Sequence, residues 1–293
     1  MGSEPSRADP DPPRYLVRFG YDGSGFAGSA RQPGLRTVEG EIRAGVLRLG
    51  ISPSLEGGDL AISSRTDRGV HARANALTLR SPLRATALLR ALNGLSPDLT
   101  FTHAARVPDG FRPRSATQRW YRYFERPADS VPPAWIEAAR TLTGRIDIRS
   151  FARGMPASTP TFRDVGSVAP RIEARWLVLD VRARAFAWGM VRKIVTALRE
   201  VEAGRLASST LSAAALGKVR IPLPLAEPER LVLWETSYPI AWEAEHRRLA
   251  RQQARRFRSE ILGASARARI LSSLENAVEV DRFPSSEVPT GGR

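Results

Sequence analysis

Ser64-Arg65-Thr66-Asp67-Arg68-Gly69-Val70-His71-Ala72 is a polar loop set between two apolar stretches. Before it, Asp59-Leu60-Ala61-Ile62-Ser63 reads as a short strand, and after it a second strand is expected near 74–79. Asp67 stands between Arg65 and Arg68, with Gly69 two residues on. A carboxylate beside two guanidiniums stays ionised, because opposite charge favours its charged form. An ionised carboxylate is a competent nucleophile or base. An Asp–Arg pair on an arbitrary loop is most often no more than a salt bridge, so this spacing alone does not establish chemistry.

Working outward, Arg14-Tyr15-Leu16-Val17-Arg18-Phe19 alternates apolar and polar residues as a strand does. Residues 20–28, GYDGSGFAG, form a glycine-rich loop. They lack the G-x-G-x-x-G spacing, and no P-loop lysine follows, which argues against a nucleotide cradle. A helix is expected from Thr37 to Leu49, with Thr37 as its N-cap and a carboxylate three or four positions on. Further helices are expected over 84–94, 133–142 and 190–201, and strands over 99–105, 119–124, 165–170 and 172–184. Helices are interleaved with hairpin-like strand pairs rather than strict βαβ units, which points to the α+β class. Two halves, 14–112 and 113–245, share a strand–helix–strand layout without a clear internal repeat. Residues 1–13 are rich in proline and charge and read as a disordered tail. Residues 246–293 read as a basic helical extension and tail.

The formal charge over 293 residues is +15, and of the 45 basic residues only Lys193 and Lys218 are lysines. Such an excess suits a polyanion partner, and arginine suits phosphate forks and base stacking. Biased genome composition explains the scarcity of lysine but not the net charge. With no cysteine, there is no disulfide, thiolate zinc site, Fe–S cluster or thiol nucleophile. His71, His103 and His246 fall at no metal-ligand spacing. No apolar run is long enough for a membrane helix, and the N-terminus has no signal-like core. The expectation is a cytoplasmic protein.

The loop at 64–72 also resembles the R-T-D-x-G-V-H-A motif of the tRNA pseudouridine synthase A family. Other segments agree in order. Tyr21-Asp22-Gly23 through Gly28 and Gln32 to Arg36-Thr37-Val38-Glu39-Gly40 resembles that family's opening. Arg119-Trp120-Tyr121-Arg122-Tyr123 resembles its R-x-Y-x-Y strand, and Gly144 to Phe151 its G-x-H-D-F-x-x-F segment. Phe186 to Ile194, FAWGMVRKI, is similar to F-x-x-x-M-V-R-x-I, and Ala226 to Tyr238 to the family's closing segment. The resemblance spans about 14–238. It departs at Ile146 and Ile148, at Ser29, and at Arg230.

The resemblance implies a pseudouridine synthase fold: a mixed, mainly antiparallel sheet built from two α/β halves flanking a central RNA-binding cleft. It implies isomerisation of uridine to pseudouridine in the anticodon stem-loop of tRNA, at nucleotides 38–40, by a homodimer with no cofactor and no metal. Asp67 would be the nucleophile, attacking either C6 of the uracil or C1′ of the ribose. Tyr121 would stack on the base and handle a proton, and Arg192 would pair with Asp67. Arg65 and Arg68 would contact RNA around the extruded uridine. Tyr123, on the same strand face as Tyr121, is assigned to the core, and His71 to a structural role. A synthase with a different RNA target and a non-catalytic RNA-binding protein on the same scaffold are the alternatives. From Arg247 to Arg269 there are eight arginines and one glutamate. For this stretch, a helix packed on the body and a direct RNA contact both stay open.

Overall fold

The computed structural model describes residues 11–52, 55, 59–155, 158 and 160–245. The basic stretch after Arg247 lies outside the described residues, as does most of the expected N-terminal tail. Pro12 and Pro13, expected within that tail, are already tied to the body. Arg80 Nη1 donates to the Pro12 carbonyl at 3.0 Å, and Ser81 N–H to the Pro13 carbonyl at 3.1 Å.

Ten strands and five α-helices make up the described fold. The strands are β1 (Arg14–Tyr21), β2 (Ala61–Ile62), β3 (His71–Arg80), β4 (Leu99–Arg106), β5 (Gln118–Pro127), β6 (Gly144–Asp147), β7 (Phe162–Glu173), β8 (Trp176–Ala183), β9 (Leu231–Ser237) and β10 (Ala244–Glu245). The helices are α1 (Val38–Arg48), α2 (Ala85–Leu92), α3 (Pro133–Thr141), α4 (Met190–Glu202) and α5 (Ser208–Ala215). All strands join one sheet in the order β10-β4-β1-β3-β9-β5-β8-β7-β6, with β2 also on β3. Every described pairing is antiparallel except β3 with β9, where His71 lies opposite Val232 and Ala72 opposite Leu233. The fold is therefore α+β with a mixed, mainly antiparallel sheet. The parallel pair is the seam between two antiparallel wings, and the loop carrying Asp67 runs directly into it.

Period-2 alternation sorts the side chains of the central strands. Tyr15, Val17, Phe19 and Tyr21 enter the main apolar core, while Leu16 joins Ala76 and Val107 in a small cluster on the other face. The main core runs across both wings, from Val38, Ile42 and Val46 of α1 to Ile194, Val195 and Leu198 of α4. Each large aliphatic or aromatic side chain buried this way contributes about 1.5–3 kcal/mol. Thr37 caps α1 as expected, its Oγ1 accepting from Gly40 N–H at 3.2 Å. The nearby carboxylate of Glu41 closes no box with the cap; it pairs with Arg36 at 2.7 Å.

The β7–β8 hairpin differs from the expected break near 171. The chain turns at Ala174 and Arg175, both with positive φ (49° and 66°). Two left-handed residues are the geometry that matches the twist of a tight hairpin. Pro170, which resembles a strand end, stays inside β7 opposite Leu179. It is tolerated because β6 pairs only with 162–165, leaving β7 an edge strand at Pro170. Among the described residues, no helix is long and apolar enough to cross a membrane.

Candidate active site

The loop between β2 and β3 is fixed from three sides. Buried Asn75 on β3 grips Ser64 through both main-chain groups: its Oδ1 accepts from Ser64 N–H at 3.2 Å, and its Nδ2 donates to Ser64 O at 2.9 Å. The glycine-rich loop after β1 binds the next turn. Ser29 N–H donates to Thr66 O at 3.0 Å, and Thr66 N–H donates to Ser29 Oγ at 2.7 Å. Gly28 permits this approach, since its φ is +122° and a Cβ there would lie 3.2 Å from Thr66 O. On the far side, His71 Nε2 donates to the Glu229 carbonyl at 3.0 Å, with Nδ1 accepting from Gly23 N–H at 3.2 Å. Val70 N–H closes the turn on Asp67 O at 3.2 Å.

The Asp67 side chain thus emerges at the seam and meets the start of α4. Arg192 Nη1 donates to Asp67 Oδ2 at 2.7 Å, and Trp188 Nε1 donates to Oδ1 at 2.8 Å. Arg192 is anchored at its other edge, where Nε donates to Ala226 O at 2.6 Å. Gly189 brings both donors to one carboxylate. It is left-handed, with φ +73°, and a Cβ would lie 2.7 Å from Leu225 Cδ2, so a side chain there meets both strain and a clash. Hydrogen bonds to both oxygens restrict the rotation of the carboxylate.

Tyr121 lies on β5 opposite Leu233 of β9, one strand from the seam. It is almost fully buried and packs edge-on against Phe186, with ring centroids 5.0 Å apart. Burial raises the pKa of its hydroxyl well above the ordinary tyrosine value, so the phenol is neutral at physiological pH. Tyr123 is buried on the same face, and its hydroxyl donates to Glu227 at 2.7 Å. Arg65 and Arg68 are both exposed. Among the described ion pairs it is Arg192, not either flanking arginine, that holds Asp67.

A cleft of about 1040 Å³ covers this arrangement. It brings together Asp67, Tyr121, Arg192, Arg65 and Arg68. Arg114, Arg119 and Arg153 also line it, against only Asp67 and Glu229 as carboxylates. A concave surface this rich in guanidinium groups concentrates anionic ligands.

Two residues that sequence reasoning passed over stand out. One is Trp188, the second partner of Asp67. The other is Arg119, which is buried and makes no ion pair among the described residues. Its Nε donates to Ser64 Oγ at 2.9 Å and its Nη2 to Ser63 Oγ at 3.2 Å. Further bonds reach the carbonyls of Arg114 at 3.0 Å and Arg184 at 2.5 Å. Burial lowers its pKa from the usual arginine value. Arg119 stitches the strand of Tyr121 to the loop of Asp67. The sequence signal for it was its place two residues before Tyr121 in Arg119-Trp120-Tyr121-Arg122-Tyr123.

A family model described as tRNA pseudouridine synthase matches residues 138–239. A tRNA pseudouridine synthase A of Thermococcus kodakarensis is 38% identical over 238 residues, covering 80% of this chain and 88% of that protein. One of Methanoculleus marisnigri is 38% identical, covering 76% of this chain and 82% of that protein. One of Pyrococcus abyssi is 32% identical over 259 residues, covering 86% of this chain and 96% of that protein.

Proposed function

The chain belongs to the tRNA pseudouridine synthase A family, a family of RNA-modifying isomerases, and from that premise we propose that it converts uridine to pseudouridine in the anticodon stem-loop of tRNA, at nucleotides 38–40, with Asp67 as nucleophile. The observation that carries this reading is the Asp67–Arg192 pair at the base of an arginine-lined cleft.

The ionised carboxylate attacks the target nucleotide, at C6 of the uracil or at C1′ of the ribose. The bond between N1 and C1′ breaks, the detached ring turns, and C5 bonds to C1′. The C5 proton is then lost, the freed N1 takes up a proton and Asp67 leaves unchanged, so atoms and electrons balance within the one nucleotide. Arg192 keeps the carboxylate aimed before attack. Tyr121 offers a ring for the base to stack on, and its neutral hydroxyl passes a proton rather than resting as phenolate. A uridine inside a stem must be extruded to reach Asp67. Arg65 and Arg68, exposed along the cleft, are placed to hold phosphates or the vacated stack. Family resemblance supports action in the cytoplasm as a homodimer with tRNA reaching across both subunits.

Incubation of the purified protein with unmodified tRNA, followed by mapping of pseudouridine at nucleotide resolution, tests the proposal. The expected result is pseudouridine within nucleotides 38–40. Modification confined to other positions would shift the target, and RNA binding with no modification would leave a non-catalytic binding protein.

A further inference from the structure

Trp188 is 53% exposed, so burial does not account for its position. Its one polar atom is nevertheless committed to a single partner, the Oδ1 of Asp67 at 2.8 Å. The ring is held in place from behind. The Arg153 guanidinium lies 4.7 Å from its centroid, and Arg153 N–H donates to Trp188 O at 2.9 Å. An exposed indole N–H has water available to it, so a carboxylate contact braced by a cation and a backbone bond is a built arrangement.

We infer that Trp188 is a positioning residue for the reaction of Asp67, fixing the plane of the carboxylate that Arg192 alone leaves free to pivot. The inference rests on the reading of Asp67 as the nucleophile. A single bond from Arg192 to Oδ2 sets one point of the carboxylate; the indole N–H on Oδ1 sets the second. An indole N–H donates and cannot accept. Trp188 therefore neither takes a proton from Asp67 nor supplies a base to the reaction; it orients the nucleophile before the substrate arrives.

The test compares Trp188→Phe, which keeps an aromatic ring without the N–H, and Trp188→His, which restores a ring N–H. Single-turnover rates at saturating tRNA and tRNA affinity are measured for both, alongside the wild-type protein. Loss of one hydrogen bond to a charged group should lower the saturating rate of Trp188→Phe by about tenfold, with tRNA affinity unchanged, and Trp188→His should recover most of it. An unchanged saturating rate in Trp188→Phe overturns the inference. So does a defect confined to tRNA affinity, or a Trp188→His as slow as Trp188→Phe. A second measurement needs no turnover. In 1H–15N spectra of the free protein, the indole resonance missing from Trp188→Phe should move upfield in Asp67→Ala. An unmoved resonance contradicts the contact itself. If the wild-type protein forms no pseudouridine, the functional reading fails while this spectroscopic arm still judges the contact.

Discussion

Arg192 and Asp67 lie 125 positions apart in the chain, and their side chains meet at 2.7 Å between Nη1 and Oδ2. The guanidinium is bidentate in function: one edge holds the carboxylate, and Nε holds the Ala226 carbonyl at 2.6 Å. A lysine supplies the charge but cannot serve both edges in a fixed plane. Arg192→Lys is expected to lower the saturating single-turnover rate about 10- to 100-fold, in line with roughly 1.5–3 kcal/mol for hydrogen bonds to charged groups. The tRNA affinity should change little. Filter binding and rapid-quench assays on the same preparation separate the two effects.

Tyr121 combines a ring and a hydroxyl, and two variants divide them. Tyr121→Phe keeps the stacking surface and the packing against Phe186 while removing the group that handles the proton. Tyr121→Leu removes both. Proton handling of this kind contributes about 10²–10⁴-fold, so Tyr121→Phe should bind tRNA normally and turn over at least about a hundredfold more slowly. Tyr121→Leu should show weaker binding as well. A Tyr121→Phe protein with the wild-type rate would remove the hydroxyl from the mechanism.

Arg65 and Arg68 are exposed on the wall of the cleft. If each neutralises one phosphate, Arg65→Ala and Arg68→Ala should each flatten the slope of log affinity against log salt by about 0.7–0.9. Titrations at several salt concentrations measure this. A variant that weakens binding equally at every salt concentration does not touch a phosphate.

Glu227 links β5 to α4 through Tyr123 and Arg199. Its pKa is lowered from 4.5 to about 2 by its own backbone N–H, then by the Tyr123 hydroxyl and Arg199, against the opposing effect of burial. A depressed folded-state value means the group stabilises the fold above its unfolded pKa and loses that contribution as pH falls from 4.5 toward 2. The side chain is more than half exposed, so solvent screening keeps the effect small. Glu227→Gln should flatten the decline of the urea midpoint between about pH 5 and about pH 3. It should leave the midpoint slope above that range unaltered.

How far the sequence carries is best seen residue by residue. The strand at Arg14–Tyr21 and the helix after Thr37 are legible because alternation and a cap are local signals. The β7–β8 turn at Ala174–Arg175 is not, because neither residue is a glycine or asparagine and Pro170 imitates a strand end. The parallel pairing of His71 with Val232 has no local signal at all. At the site, Asp67, Tyr121 and Arg192 were singled out through family resemblance, each on a separate segment, and the fold brings them to one cleft. The ion pair with Asp67 comes from Arg192 on the distant helix α4, and not from its sequence neighbours Arg65 and Arg68. Arg119 and Trp188 were missed because their partners, Ser64 and Asp67, lie 55 and 121 residues away, which no spacing rule reaches.

The central claim is that the Asp67 carboxylate carries the isomerisation. The direct measurement is single-turnover formation of pseudouridine in unmodified tRNA by the wild-type protein and by Asp67→Asn, with tRNA affinity determined in parallel. The amide keeps the shape of the side chain and loses the nucleophile. The predicted result is a loss of at least ~10³-fold in rate with affinity within about twofold of wild type. An Asp67→Asn protein that forms pseudouridine at a rate within about tenfold of wild type would contradict the account.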